Sequence, residues 1–395
     1  MMGIGEYYLP AFAIALHMGD VVAGLIATVP MLSAALLQLV TPVVTRALGW
    51  HRRWVVLGAA LQALSFVPLI IGAWTARMPA LLLFAVVTLY QFGAMAGGPV
   101  WSTWIPLLVP TRLRAHYFAY RNRWCQAGIL AGLVGGGLLL KVFGAEPVRA
   151  FVALFAVAAA CRAVSSALLS LQSEPRPMPL APRAVSTSEM LSRVRHGPDG
   201  RFLLYAVAAM VALQIAQPFF NPYMLRRFDD LHYAVLLGAA FVGRIFAMPA
   251  IARLARRRGA RAVLWAGGLG LVPGAAAWLV SDNFWWLLAV QLLSGAASAA
   301  HELGLFLMNV ETIHEDERAS VLSKFNLMNA LATAGGSALG GMMLGALGEQ
   351  KSAYFAVFVA SAVARAAALP LLARVGRARH APGTHARDHA ETDRA

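Results

Sequence analysis

Uncharged runs long enough to cross a lipid bilayer recur along this chain, and no other feature limits its fold so tightly. Stretches without Asp, Glu, Lys or Arg cover 21–45, 54–76, 78–111, 202–225, 262–281, 283–301 and 325–348. A membrane-spanning helix needs about 20 mostly apolar residues. Four further segments reach that length if an interior charge or a flanking charge is tolerated: 117–140 with Arg121 and Arg123, 147–171 around Arg162 with Arg149 near its start, 231–254 around Arg244 with Arg253 near its end, and 352–373 around Arg365. The segment 2–18, around Glu6, is the twelfth and shortest, and its true start is expected upstream of Met1. Period-two alternation is absent, which argues against an outer-membrane barrel. Only 13% of the residues are charged, about half the share of a soluble domain, so a soluble enzyme is not the default. Cys125 and Cys161 both lie in apolar runs and read as small hydrophobes, not as a disulfide or metal pair.

The net charge of +15 then has a topological explanation. When loops are assigned alternately from an inside N-terminus, 24 basic residues fall on one side and six on the other. This positive-inside bias predicts that both termini are cytoplasmic in an inner (plasma) membrane. No nucleic-acid partner is needed to account for the charge. No cleavable signal peptide is expected, because no basic n-region precedes the first apolar run.

Six spans precede the proline- and arginine-rich segment 172–200, and six follow it. The expected fold is an all-α polytopic membrane protein of twelve transmembrane helices in two pseudo-repeated six-helix bundles. The first bundle is 1–171, the cytoplasmic linker 172–200, the second bundle 201–374, and the disordered cytoplasmic tail 375–395. The repeat is visible in register. Arg114, Asn122, Gly132, Gly136 and Gly137 match Arg318, Asn326, Gly336, Gly340 and Gly341 at a constant offset of 204. Tandem halves of this kind hold a solute near the midplane between them.

The chain resembles the major facilitator superfamily over essentially its whole length. That family carries Gly-x-x-x-Asp-Arg-x-Gly-Arg-Arg between its second and third spans. Here the loop reads Thr45-Arg46-Ala47-Leu48-Gly49-Trp50-His51-Arg52-Arg53, with Thr45 at the aspartate position. The pseudo-repeat runs from Arg253 to Arg261, also without an aspartate. Gly132 to Gly137 keep the glycines of the family's fifth-span antiporter motif without its proline, and Glu311 and Arg318 fit a spacing found in sugar porters. The resemblance implies alternating access between two bundles, with no subfamily assigned.

Several residues are candidates for the chemistry. Intramembrane ionisable groups cost about 2.5–3.5 kcal/mol on insertion scales and usually mark a pathway. Glu302 is the leading proton carrier, with Glu6, Arg244 and His301 as further coupling candidates. His301 adjoins Glu302 but points about 100° away on a helix. Arg162 and Arg365 read as structural. Span seven carries Gln214, Gln217 and Asn221 on one face, interrupted by Pro218 and Pro222, which suggests a cavity lining. Gln38, Asn122, Gln126, Asn329 and Trp101 are further solute-binding candidates. Arg46, Arg52, Arg53, Arg114, Arg257, Arg261 and Arg318, with Glu311, are candidates for an inner gate. Gly128, Gly132, Gly136, Gly336 and Gly340 read as close helix packing, either static or sliding between bundles.

The expected function is secondary active transport of a small solute, with proton-coupled efflux of an amphipathic compound leading. Proton-linked uptake of a sugar-like or other nutrient is the alternative, as is a non-transporting sensor or scaffold on the same fold. The partners are a small-molecule solute, protons and the lipid bilayer, and a monomer is expected. Neither an enzyme activity nor a cofactor or metal is expected, because no nucleophile–base pair or ligand cluster stands out.

Overall fold

The structure, a computed structural model, describes residues 1–18, 22, 25–26, 29–142, 147–174, 185–186, 188–190, 192, 198–225, 227–228, 230–348 and 350–373. Most of the linker and the whole tail 375–395 lie outside the described residues. Every described element is helical, and eight helices are long and apolar enough to cross a membrane.

In chain order the described helical segments group into twelve helices, α1 to α12. The first is α1 (Leu9–Ala15), entered through the 3-10 turn Glu6–Tyr8. The second, α2, consists of Val29–Leu37 and Thr41–Leu48, joined by the 3-10 turn Gln38–Val40. Then follow α3 (His51–Thr75), α4 (Ala80–Leu108), α5 (Thr111–Val142) and α6 (Pro147–Ser170). In the second half, α7 is split into Pro198–Gln214 and Gln217–Leu225. The break falls just before Pro218, which has no N–H to continue the ladder. A continuous run Asp230–Ala276 holds α8 and α9, divided at Gly259. It is followed by α10 (Phe284–Thr312), α11 (Glu315–Leu347) and α12 (Lys351–Ala373).

Two glycines make the corresponding tight turns of the two halves. Gly49, between α2 and α3, has φ +68°, and Gly259, between α8 and α9, has φ +82°. A Cβ at either site would meet nothing within 4 Å, so the requirement is conformational rather than steric.

A second matched pair ends α4 and α10. Both helices stop at a residue with extended backbone, Val109 and Ile313. Arg114 donates from Nε to the carbonyls of Pro106 and Val109, both at 3.1 Å. Arg318 donates from Nη2 to the carbonyls of Val310 and Ile313, both at 2.8 Å. Donors and acceptors alike are related by the offset of 204. Each guanidinium satisfies the carbonyls that a helix C-terminus leaves open and sits at the negative end of its dipole.

The buried apolar side chains fall into three groups. One group joins both halves: Trp104 and Ile105 of α4 and Phe118 of α5 belong with Phe202 and Tyr205 of α7, Met248 of α8 and Leu307 of α10. Linker residues Val185 and Met190 belong to it, so it marks the linker side. The other two groups do not mix. Phe12, Phe66, Leu83 and Phe155 pack inside the first bundle. Trp278, Leu287, Tyr354 and Phe358 pack inside the second. The bundles are therefore fused on the linker side and part toward the opposite side.

The linker is tied to both bundles. The Glu174 carboxylate accepts from the backbone N–H groups of His51 at 2.7 Å and Arg52 at 3.2 Å, capping the open N-terminus of α3. It also lies 3.0 Å from His51 Nδ1. Farther along, the Val185 N–H donates to Ser320 Oγ, and its carbonyl accepts from Lys324, both on α11.

Candidate functional site

The cleft between the bundles ends on the linker side in an aromatic floor. Phe118 of α5 and Phe306 of α10 meet across the two halves with ring centroids 4.6 Å apart, and Trp101 of α4 lies 6.1 Å from each. The Arg121 guanidinium stacks 4.2 Å from the Trp101 ring centroid. Above this floor a cavity of about 150 Å³ is lined by Phe118, Arg121, Asn122, Glu302, Leu303 and Phe306.

Glu302 is not alone there. Arg244 of α8 donates from Nη1 to Oε1 and Oε2 of Glu302, at 2.8 and 2.9 Å. The carboxylate side chain is 46% exposed and the guanidinium side chain 24%. The carboxylate is thus the more accessible charge of the pair. From the first bundle Tyr7, itself exposed, interacts electrostatically with both members of this pair and with Glu6. Glu6 accepts from the Tyr90 hydroxyl at 2.9 Å and from Gln91 Nε2 at 3.1 Å. Each half thus carries one bonded carboxylate within its apolar helices. The Glu6 carboxylate is held by neutral donors and the Glu302 carboxylate by a cation.

His301 points elsewhere. It is buried within the second bundle, its ring 6.0 Å from that of Tyr205, in a crevice it shares with Gly268 and Arg365. Adjacent positions on α10 thus serve different surroundings, as the helical rotation between them requires. Among the described residues no group of three or more His, Cys, Asp or Glu side chains is arranged to hold a metal ion.

Residues 202–393 match the sequence model of the Major Facilitator Superfamily. The whole fold is shared with solved transporters of low sequence identity. An outward-facing bacterial homologue of the iron transporter ferroportin is similar at 18% identity and a TM-score of 0.68, over 94% of each chain. The fucose:proton symporter of E. coli is similar at 15% identity and a TM-score of 0.70, over 95% of this chain and 98% of its own. The human organic anion transporter MFSD10 gives 16% and 0.66, over 92% and 88%. No curated protein matches the chain by sequence. The second half of the chain thus matches the sequence model of that superfamily, and the whole chain shares the fold of these solved transporters. It is a multi-pass membrane protein with the fold of these solved transporters.

The other polar candidates are dispersed. Asn122 lies in the cleft. Gln38 of α2 is fully buried and accepts from Asn326 Nδ2 of α11 at 3.1 Å, which joins the two bundles. Gln126 is buried in α5. Gln214 packs beside Gly336, while Gln217 and Asn221 are exposed on the second piece of α7. Asn329 is partly buried in α11. Sequence reading passed over Arg121 and Tyr7. Arg121 counts as a topology marker until its stacking on Trp101 is seen. Tyr7 has no signal beyond adjacency to Glu6.

The gate candidates bond mostly to backbone carbonyls. Beyond the Arg114 and Arg318 caps, Arg52 reaches the Gln172 carbonyl just past α6, and Arg261 reaches the Ala373 carbonyl at the end of α12, both at 3.1 Å. Arg53 lies 3.5 Å from the Leu48 carbonyl. Arg257 and Glu311 are exposed, and the Arg46 side chain lies outside the described residues. One basic contact that crosses the bundles was not among the candidates. Arg256 Nη1 is 3.0 Å from His116 Nδ1, which makes that ring nitrogen the acceptor.

The glycine stripes meet helices of their own bundle. A Cβ on Gly132 would approach Gly3 and Ile4, and one on Gly136 would approach Tyr8 and Leu154. Cβ atoms on Gly336 and Gly340 would strike the carbonyls of Val211 and Ile215 on α7. A Cβ at Gly128 would meet nothing within 4 Å.

An ionic knot closes the outer end of the second bundle, in the turn between α9 and α10. Asp282 accepts from Tyr223 at 2.8 Å and from Lys351, with Arg227 Nη2 at 3.2 Å. Partial burial pushes its carboxyl up. The hydrogen bonds from Lys351 and Tyr223 and the Arg227 charge outweigh this and hold it below its ordinary value. A depressed carboxylate stabilises the fold above its unfolded pKa, about 3.9, and that contribution fades as pH falls through the folded value. Asp282→Asn should therefore lower the Tm at pH 7, and its gap from wild type should close below about pH 4. Thermal unfolding of purified protein at both pH values checks this. A gap that persists in acid would leave the ion pairs out of the explanation.

Proposed function

We propose that the chain is a proton-linked secondary transporter that exports a small amphipathic solute by alternating access, with Glu302 carrying the proton. The observation that carries this reading is the Arg244–Glu302 pair in a cleft closed on the linker side. The linker side is taken as cytoplasmic, because the basic residues concentrate there. Both termini are then cytoplasmic, the membrane is the inner (plasma) membrane, and the conformation described faces outward. The working unit is a monomer with no cofactor.

The more exposed member of the pair is a carboxylate, which suits a solute with a cationic or hydrogen-donating group. Trp101, Phe118 and Phe306 offer that solute's apolar body an aromatic wall, and Asn122 a polar contact. A proton and a cation that compete for one carboxylate exclude each other. Exclusive occupancy couples the two fluxes in opposite directions, so an inward proton gradient drives export. An anionic solute that bound Arg244 once Glu302 was protonated would reverse the sign and give uptake.

Proteoliposomes and the amphipathic cation ethidium distinguish these cases. Under antiport, vesicles with an acidic lumen accumulate the dye at least several-fold faster than vesicles without a gradient. Accumulation driven by external acid would replace export with the uptake reading. Equal rates under every gradient would remove proton coupling.

A further inference from the structure

The cavity above the aromatic floor holds a charge that no described residue neutralises. Two of its lining residues are charged, Arg121 of α5 and Glu302 of α10, one from each bundle. Glu302 already accepts from Arg244. Arg121 is exposed, and its guanidinium meets the Trp101 ring but, among the described residues, no carboxylate or other hydrogen-bond acceptor. Arg121, Arg244 and Glu302 together leave one positive charge in excess. Stacking on Trp101 occupies the face of the guanidinium, whereas its N–H donors lie in the plane of the group. Those donors stay free for a planar anion, and a carboxylate held by two parallel N–H bonds is the arrangement a guanidinium favours.

The internal repeat separates these two charges from the packing that the halves share. At the offset of 204, Asn122 is matched by Asn326, but Arg121 is matched by Phe325 and Glu302 by Gly98. The shared fold is therefore built without either charge at the equivalent position. Both departures from the repeat border the same cavity of about 150 Å³. A cavity of about that volume holds a benzene-sized group, so an occupant that touches both charged walls carries its own two polar ends only a few atoms apart.

We propose that the solute is a compact zwitterion whose carboxylate binds Arg121 while its ammonium group binds Glu302. This rests on the reading of Glu302 as the group that meets the solute. A solute with a cation alone brings a further positive charge to a site that already holds one in excess, whereas a zwitterion brings an anion for Arg121 with it. Phe118 and Phe306 receive its apolar part. The proton still competes with the ammonium group for Glu302, so the direction of coupling is unchanged. Arg121 then decides which cations are accepted: those with a carboxylate a few atoms away.

Phenylalanine, phenethylamine and 3-phenylpropionate present one phenyl body with both charges, with the cation alone and with the anion alone. Equilibrium binding of each to the purified full chain at neutral pH tests the proposal. Wild type should bind phenylalanine tighter than phenethylamine by about tenfold or more, the usual gain from a hydrogen bond to a charged group, and tighter than 3-phenylpropionate. Arg121→Gln should abolish the preference for phenylalanine over phenethylamine, and Arg121→Lys should keep part of it. Asn122→Asp leaves Arg121 in place but sets a counter-charge beside it, and should also reduce the preference. Glu302→Gln should weaken phenylalanine and phenethylamine together. Phenethylamine that binds wild type as tightly as phenylalanine does, and is lost in Glu302→Gln, would overturn the zwitterion and leave Glu302 as a cation site. Tightest binding of 3-phenylpropionate, unchanged in Glu302→Gln, would overturn the reading of Glu302 as well. Absence of saturable phenylalanine binding, or a preference that survives both Arg121→Gln and Asn122→Asp, would also overturn the proposal.

Discussion

Glu302→Gln should abolish pH-driven net flux, by at least tenfold, while leaving part of the solute exchange intact. The amide keeps the shape of the carboxylate and still accepts a hydrogen bond from Arg244, but it cannot release or take up a proton. Exchange needs only that the solute bind and the bundles rock, whereas net flux against a gradient needs the titrating group. The substitution also leaves the Arg244 charge without its counter-ion, a loss that typically costs several kcal/mol when buried and less where water reaches. The double variant Arg244→Gln/Glu302→Gln separates the two effects, since it removes the orphaned charge yet restores no titration. It should recover protein yield without recovering pH-driven flux. Unchanged pH-driven flux in Glu302→Gln would sink the assignment of the proton carrier.

Gly340→Leu should remove most of the folded protein. A Cβ at that position would overlap the Ile215 carbonyl oxygen and come within 2.6 Å of the Phe219 ring. A backbone carbonyl cannot step aside as a side chain can, so α7 and α11 must separate. Overpacking of this kind costs about 1–3 kcal/mol where neighbours yield, and more where they do not. Gly136→Leu should be milder, because the nearest atom there is the Tyr8 ring at 2.5 Å. Gly128→Ala should be neutral. Monodisperse yield and Tm across the three variants test this order. A well-folded Gly340→Leu protein trapped facing one side of the membrane would instead give the stripe a role in gating.

Most of the long helices were legible in the sequence as local runs with few or no charged residues. The interruption of α7 was legible because Pro218 acts on its own backbone. The repeat was legible as a fixed spacing, and Arg114 and Arg318 were found through it. Their carbonyl acceptors were not, because the sequence does not say which backbone groups of the preceding helix end each guanidinium meets. The glycine stripes illustrate the same limit. Periodicity shows that Gly132 and Gly136 share a face, but not that the face meets α1 of the same bundle. The Arg244–Glu302 pair joins residues 58 positions apart, and depth in the membrane alone does not specify which residues of two helices will meet.

Among the described residues the apolar core shared on the linker side has no equivalent at the other end, so the rocking cycle proposed above would have to open it to reach a second conformation. Leaving the resting state means separating Trp104 and Phe118 from Tyr205 and Leu307. To shift a population from 1:99 to 99:1, a ligand must prefer the minor state by about 5.5 kcal/mol. A solute held equally well in both conformations would leave the protein where it rests, however tightly it bound. Under the proposed cycle the cargo would have to be recognised by what it touches after the cleft has turned, so its affinity for the cleft described would be a poor guide to how fast it moves.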